Sequence, residues 1–195
     1  MQRLVTLFLI VVSLLLAGCE LFTTREPEPP DSSGDNFEAP TTPEVVITNL
    51  TASIAEMNTQ NYLQSLSDPN YGVPPFTFVS SPSAATQYPE LQLDWNKSSE
   101  ERYLRSLFAG IPETGQPSLR LSNLQSSVDG DTLLFTAGYS LTVPHNDSSF
   151  PILFEGELKF KMVRDSRSLY SIFYWQDNKV STSLTWSDLK GYYYQ

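Results

Sequence analysis

Residues 133–143 read Leu-Leu-Phe-Thr-Ala-Gly-Tyr-Ser-Leu-Thr-Val, and the fold class turns on them. Leu133, Phe135, Ala137, Tyr139, Leu141 and Val143 share one side of a period-two pattern; Leu134, Thr136, Gly138, Ser140 and Thr142 share the other. Sustained alternation of this kind is a strand with one apolar face. Downstream, Ile152, Phe154, Gly156, Leu158, Phe160 and Met162 alternate with Leu153, Glu155, Glu157, Lys159 and Lys161, which buries one face and wets the other. Turn chemistry separates the runs. Asp129-Gly130 precedes the first, Pro144-His145-Asn146-Asp147 lies between them, and Arg164-Asp165-Ser166-Arg167 follows the second. Leu119, Leu121 and Asn123 begin a strand before the first turn. After the last turn, Tyr170, Ile172 and Tyr174 lie opposite Phe173 and Trp175. The pattern predicts an antiparallel sheet filling the second half of the chain. Trp186, Tyr192, Tyr193 and Tyr194 then form an aromatic tail that packs on the domain or, if exposed, marks a partner or self-association surface.

The first half is helical. Thr42 and Pro43 open a helix in which Val46 or Ile47, Leu50, Ile54 and Met57 recur at spacings of three and four. Asn58-Thr59-Gln60 interrupts that stripe, and Tyr62, Leu63 and Leu66 resume it up to Asp68-Pro69-Asn70. Phe76-Thr77-Phe78-Val79 alternates as a short strand, and residues 80–94 read as a Pro- and Ser-rich loop. Ser98-Ser99-Glu100-Glu101 fits a capping box at the start of another helix. Tyr103, Leu104, Leu107 and Phe108 line its apolar face, and Gly110-Ile111-Pro112 ends it.

At the N-terminus, Arg3 precedes an apolar run over residues 4–16 that ends in Leu16-Ala17-Gly18-Cys19, and Cys19 is the only cysteine. The run is too short to span a hydrocarbon layer of about 30 Å, which needs about 20 apolar residues. It resembles a bacterial lipoprotein signal peptide with a lipobox. The resemblance implies cleavage between Gly18 and Cys19, lipidation of Cys19, and a body tethered on the extracytoplasmic side of a cell envelope. Glu20, where aspartate would favour inner-membrane retention, implies the outer membrane if the cell has one. Residues 1–18 are then signal peptide, residues 19–43 a disordered acidic, Pro-rich linker, and residues 44–195 one α+β domain. The formal net charge is −10, and more than half of it falls in residues 20–44. Such acidity excludes nucleic acid as a partner and leaves the lipid anchor as the membrane contact. With Cys19 modified and a single histidine, His145, no thiolate or His cluster remains for zinc or copper, so no metal or other cofactor is expected.

The order of elements resembles the nuclear transport factor 2-like, or cystatin-like α+β, superfamily. The resemblance rests on Tyr62-Leu63-Gln64-Ser65-Leu66, on residues 101–108 and on Tyr170-Ser171-Ile172-Phe173-Tyr174-Trp175; a lipocalin-like or other antiparallel sheet with helices is the alternative. It implies a curved antiparallel sheet wrapped round N-terminal helices to form a cone. Members include isomerases, dehydratases, polyketide cyclases and non-catalytic binders, so the fold does not choose the function.

The expected cone lining is Phe135, Tyr139, Phe154, Phe160, Ile172 and Tyr174, an apolar and aromatic set with no buried carboxylate. His145 reads as a loop histidine, Asp68 and Asp94 flank loops that would rim the pocket but are equally explained as turn or cap residues, and Asp129, Asp131 and Asp147 lack the spacing of a calcium loop. The sequence therefore predicts a non-catalytic, lipid-anchored envelope protein that binds a small apolar ligand or an envelope protein. The alternatives are a pocket enzyme of the isomerase, dehydratase or cyclase type using Tyr139 or Tyr174, and a structural module that forms a homodimer.

Overall fold

The computed structural model describes residues 36–194. The signal peptide, the cleavage site at Gly18 and Cys19 and most of the linker lie outside the described residues. The linker reading ends earlier than expected. The Asn49 side chain bonds both the N–H and the C=O of Glu38, and the Pro40 carbonyl accepts from the Tyr170 N–H, so residues 38–40 belong to the body.

Helix α1 (Pro43–Ala55) starts with Pro43 in its first turn and buries Val46, Ile47, Leu50 and Ile54. The stripe breaks where the sequence indicates. Met57 takes φ 53°, and the Asn58 side chain accepts from the Asn61 N–H to cap α2 (Thr59–Gln64). Met57 itself leaves the apolar stripe and is 37% exposed. Asp68 caps a 3-10 turn over Pro69–Tyr71, and β1 (Thr77–Val79) follows. The segment read as a loop holds a short helix, α3 (Pro82–Gln87), and a 3-10 turn over Pro89–Gln92. Each begins with proline, and both are too short to show a helical period.

Helix α4 (Lys97–Ala109) starts one residue before Ser98. Asn96 is its cap, accepting from the Ser98 and Ser99 N–H groups, so the expected capping box does not form. Glu101, the acidic residue of that box, pairs with Arg105 instead, and Glu100 beside it is fully buried. Strands β2 (Ser118–Asp129), β3 (Thr132–Thr142), β4 (Leu153–Arg164) and β5 (Tyr170–Asn178) pair as antiparallel neighbours, and β1 adds in parallel to β5, giving the order β1-β5-β4-β3-β2. The β2–β3 loop has Gly130 at φ 60°, where a side chain would be strained. Beyond a bulge after Ser122, the edge strand β2 leaves the body and exposes Leu124 and Val128.

A second bulge decides the interior. The β4–β5 register shifts between Lys161 and Met162, so that Met162 pairs with Ile172 and Lys161 with Tyr174. Phe173 is skipped. Ile172 and Trp175 therefore both face inward, while Tyr174 moves to the outer face under the Lys161 ammonium, 5.0 Å from its ring centroid. Alternation alone had put Tyr174 inside and Trp175 outside. Helix α5 (Trp186–Tyr193) closes the fold, starting in a capping box between Thr185 and Asp188. It contacts α3, α4 and β4 and buries Trp186, Leu189 and Lys190 completely. Replacing Trp186 by alanine is expected to cost roughly 3–5 kcal/mol of folding stability, because it empties the middle of the aromatic core. Urea unfolding of the two proteins measures it.

Candidate functional site

Five of the expected lining residues, Phe135, Tyr139, Phe154, Phe160 and Ile172, do come together on the concave face of the sheet. They do not surround open space. Trp186 sits edge-on to Trp175 at 4.6 Å and to Tyr139 at 5.7 Å, and its indole N–H donates to the Tyr103 hydroxyl at 3.0 Å. The aromatic tail thus packs on the domain, as a helix seated inside the cone. Its last tyrosines pack on the domain too: Tyr192 stacks on Phe150 at 3.9 Å and Tyr194 lies against Trp95 at 4.6 Å.

The interior also holds carboxylates that alternation did not reveal: Glu100 on α4, Asp177 on β5 and Asp188 on α5. Asp177 accepts from the Tyr139 hydroxyl at 2.7 Å and from the Ser187 N–H at 2.7 Å, while Tyr139 accepts from the Trp186 N–H at 2.7 Å. Burial raises Asp177 above its ordinary range and drives the Tyr139 hydroxyl, which also faces the Asp177 charge, far above its own. Tyr139 therefore stays protonated and donates. Gly156 makes this bond possible. It pairs with Tyr139 across β3 and β4, and a Cβ there would lie 2.7 Å from both the tyrosine oxygen and the Asn178 carbonyl oxygen.

Glu100 accepts from the Trp95 indole N–H at 2.8 Å, from the Tyr62 hydroxyl at 3.2 Å and from the Lys190 ammonium. Burial pushes Lys190 down to about 8, against the pull of Glu100. Glu100 and Asp177 each accept from more than one residue, and Asp188 accepts from the Thr185 N–H and hydroxyl, as buried carboxylates require.

Open concavity lies at one end of the domain. A groove of about 370 Å³ is lined by Gln60, Gln64, Asp68, Tyr71, Lys97 and Arg167, among others, and a neighbouring one of about 600 Å³ shares Asp165 and Tyr170 with it. Arg167 forks onto Asp165 at 2.6 and 2.9 Å and lies 3.4 Å from the Tyr71 ring centroid. Lys97 donates to the Leu66 carbonyl at 3.2 Å, and its pKa is lowered, first by burial. Asp68 does rim this groove; Asp94 is exposed outside it. His145 bonds the Pro151 carbonyl at 3.0 Å in its loop. Among the described residues no cluster of three or more His, Cys, Asp or Glu could hold a metal ion, and no helix is long and apolar enough to cross a membrane.

Two outcomes test this geometry. Gly156→Ala is expected to destabilise by about 1–3 kcal/mol by crowding Tyr139 and the Asn178 carbonyl, and Tyr139→Phe by about 1–3 kcal/mol by orphaning the Trp186 N–H. The double variant should cost less than the sum, as a double-mutant cycle reads out. At the groove, burial raises Asp165, but hydrogen bonds from the Arg167 side chain and from the Leu169 and Arg167 N–H groups outweigh it and leave the carboxyl below its ordinary range. A depressed folded value means stabilisation present above the ordinary aspartate range and lost as pH falls through the depressed value. The Arg167 and Leu169 amide proton shifts should follow that acid titration and cease to do so in Asp165→Asn.

No family model and no curated protein matches this chain. Solved structures do. A protein from Kribbella flavida superposes with a TM-score of 0.53 at 10% identity over 74% of this chain and 91% of that one. A nuclear transport factor 2-like superfamily protein from Salmonella enterica serovar Typhimurium gives 0.51 at 13% over 71% and 89%. A similarly named protein of unknown function from Pseudomonas putida KT2440 gives 0.50 at 13% over 69% and 82%. With its helices on a five-stranded sheet, this chain has the nuclear transport factor 2-like, cystatin-like fold.

Proposed function

We propose that this chain is a lipid-anchored cell-envelope protein that acts by binding rather than by catalysis, and that its binding site is the groove at Lys97 and Arg167. The observation that carries this reading is the filled cone. Trp186, Leu189 and Lys190 occupy the space in which a pocket enzyme of this fold would hold its substrate, and each is fully buried. The Tyr139–Asp177 pair, which could serve a proton transfer, is engaged by the backbone of the same helix. The groove is open, and it joins two cationic side chains to the Asp68 and Asp165 carboxylates and the Tyr71 ring. That mixture suits a polar ligand or a polar segment of an envelope protein better than the small apolar ligand the sequence predicts.

The anchor rests on Leu16-Ala17-Gly18-Cys19. Two or more acyl chains on Cys19 would hold the protein at the membrane, at roughly 0.8 kcal/mol per buried CH₂. Supplied palmitate should label the full chain and not Cys19→Ala; an unlabelled wild type in a lipoprotein-processing host overturns the anchor. For the groove, native mass spectrometry of full-length protein released from its membranes should show a bound mass or partner that Lys97→Glu/Arg167→Glu loses. Turnover of isomerase, dehydratase or cyclase substrates that disappears in Tyr139→Phe would replace binding by catalysis.

A further inference from the structure

The Lys190 ammonium lies in surroundings built for an organic cation. Its Nζ is 3.8 Å from the ring centroid of Phe78, 4.1 Å from that of Trp175 and 5.5 Å from those of Trp95 and Tyr103. Four ring centroids lie within about 6 Å of one charge, and it is the electron-rich ring faces that attract it. Glu100 supplies the anion. None of these five side chains is more than 3% exposed, so water does not compete with them.

The walls come from elements other than the helix that carries Lys190. Phe78 comes from β1, Trp95 from the segment before α4, Glu100 and Tyr103 from α4, and Trp175 from β5. Only Lys190 comes from α5. Glu100 is held by the Trp95 indole N–H and the Tyr62 hydroxyl, which aim its carboxylate without help from the lysine. Phe78 and Trp175 meet edge to face at 5.6 Å, and Trp95 lies 5.8 Å from Phe78, so the rings brace each other as well. An anion fixed by two donors, inside a dry ring of aromatics, is a preorganised receptor whose ligand is delivered on a separate helix.

We propose that the centre of the cone is a binding site for alkylammonium ions, filled in this chain by its own Lys190, so that an external amine enters only in exchange for that side chain. The proposal is independent of the groove and of the lipid anchor. A compact ammonium with a short alkyl stem matches what Lys190 places there; a carboxylate would meet Glu100, and a neutral alcohol would leave Glu100 without its counter-charge.

Lys190→Ala in the full chain opens the site, and thermal unfolding reads its occupancy. The variant should melt lower by on the order of 10 °C, because Glu100 is left buried and unpaired. Millimolar ethylammonium or propylammonium should return several degrees of that loss, while 1-propanol and propionate at equal concentration and ionic strength should not. Equal recovery by 1-propanol would reduce the site to an apolar cavity and overturn the proposal, as would no recovery by any amine. Lys190→Met fills the same space without charge and should ignore propylammonium; a rise in its melting temperature as large as that of Lys190→Ala also overturns it. If Lys190→Ala does not fold, the wild type still decides by NMR. The Lys190 ε-methylene protons must be shifted well upfield by the surrounding rings, and unshifted protons would rule the cage out.

Discussion

The ion pair between Lys190 and Glu100 sits where the helices, the sheet and the C-terminal helix meet, and the arrangement of the interior follows from it. Removing both charges from water costs several kcal/mol per ion before any attraction is counted. That cost is tolerable only because Glu100 takes further hydrogen bonds from Trp95 and Tyr62 and because aromatic rings surround the ammonium. Such a pair is weak evidence for added stability and stronger evidence for a unique placement. A cone lined only by Phe, Ile and Leu could accept an apolar helix in several rotations, whereas Lys190 finds its anion in one.

The second polar centre fixes the same helix from its other end. Tyr139 reaches across Gly156 to Asp177, and Asp177 and Tyr139 together hold the N–H groups of Ser187 and Trp186. These are among the first N–H groups of α5, which have no partner within the helix. With Thr185 and Asp188 closing the capping box and Ser81 donating its N–H to the Ser187 hydroxyl, the start of the helix is bonded from β3, β5 and the loop before α3. The concave face of the sheet is thus closed by the chain's own C-terminal helix, and the groove at Lys97 and Arg167 lies at the end of the domain.

Much of this could be read from the chain. The strands around residues 133–143 and 153–163 carry their own faces, because a period of two needs no tertiary information. The helices at Pro43 and before Gly110, the break at Asn58 and the turn at Gly130 follow from local chemistry as well. Legibility failed where partners are distant. Glu100 lies within Ser98-Ser99-Glu100-Glu101, which reads as a local capping box closed by Glu101, yet the partner of Glu100 is ninety positions away at Lys190. Trp186 and the tyrosines after it carried too few turns to announce which way a helix would face. The bulge at Phe173 inverted Tyr174 and Trp175, and alternation cannot signal an extra residue that only strand pairing creates.

The sequence by itself determined the α+β class, the order of the long helices and strands and the apolar faces of β3 and β4, since these depend on side-chain periodicity and turn residues a few positions apart. The tertiary structure alone decided that the cone is full, that three carboxylates and a lysine lie inside it, and which cationic side chains share the open groove. Those outcomes depend on register shifts and on pairings across most of the chain, where the free energy of a buried charge is set by neighbours that no local pattern specifies.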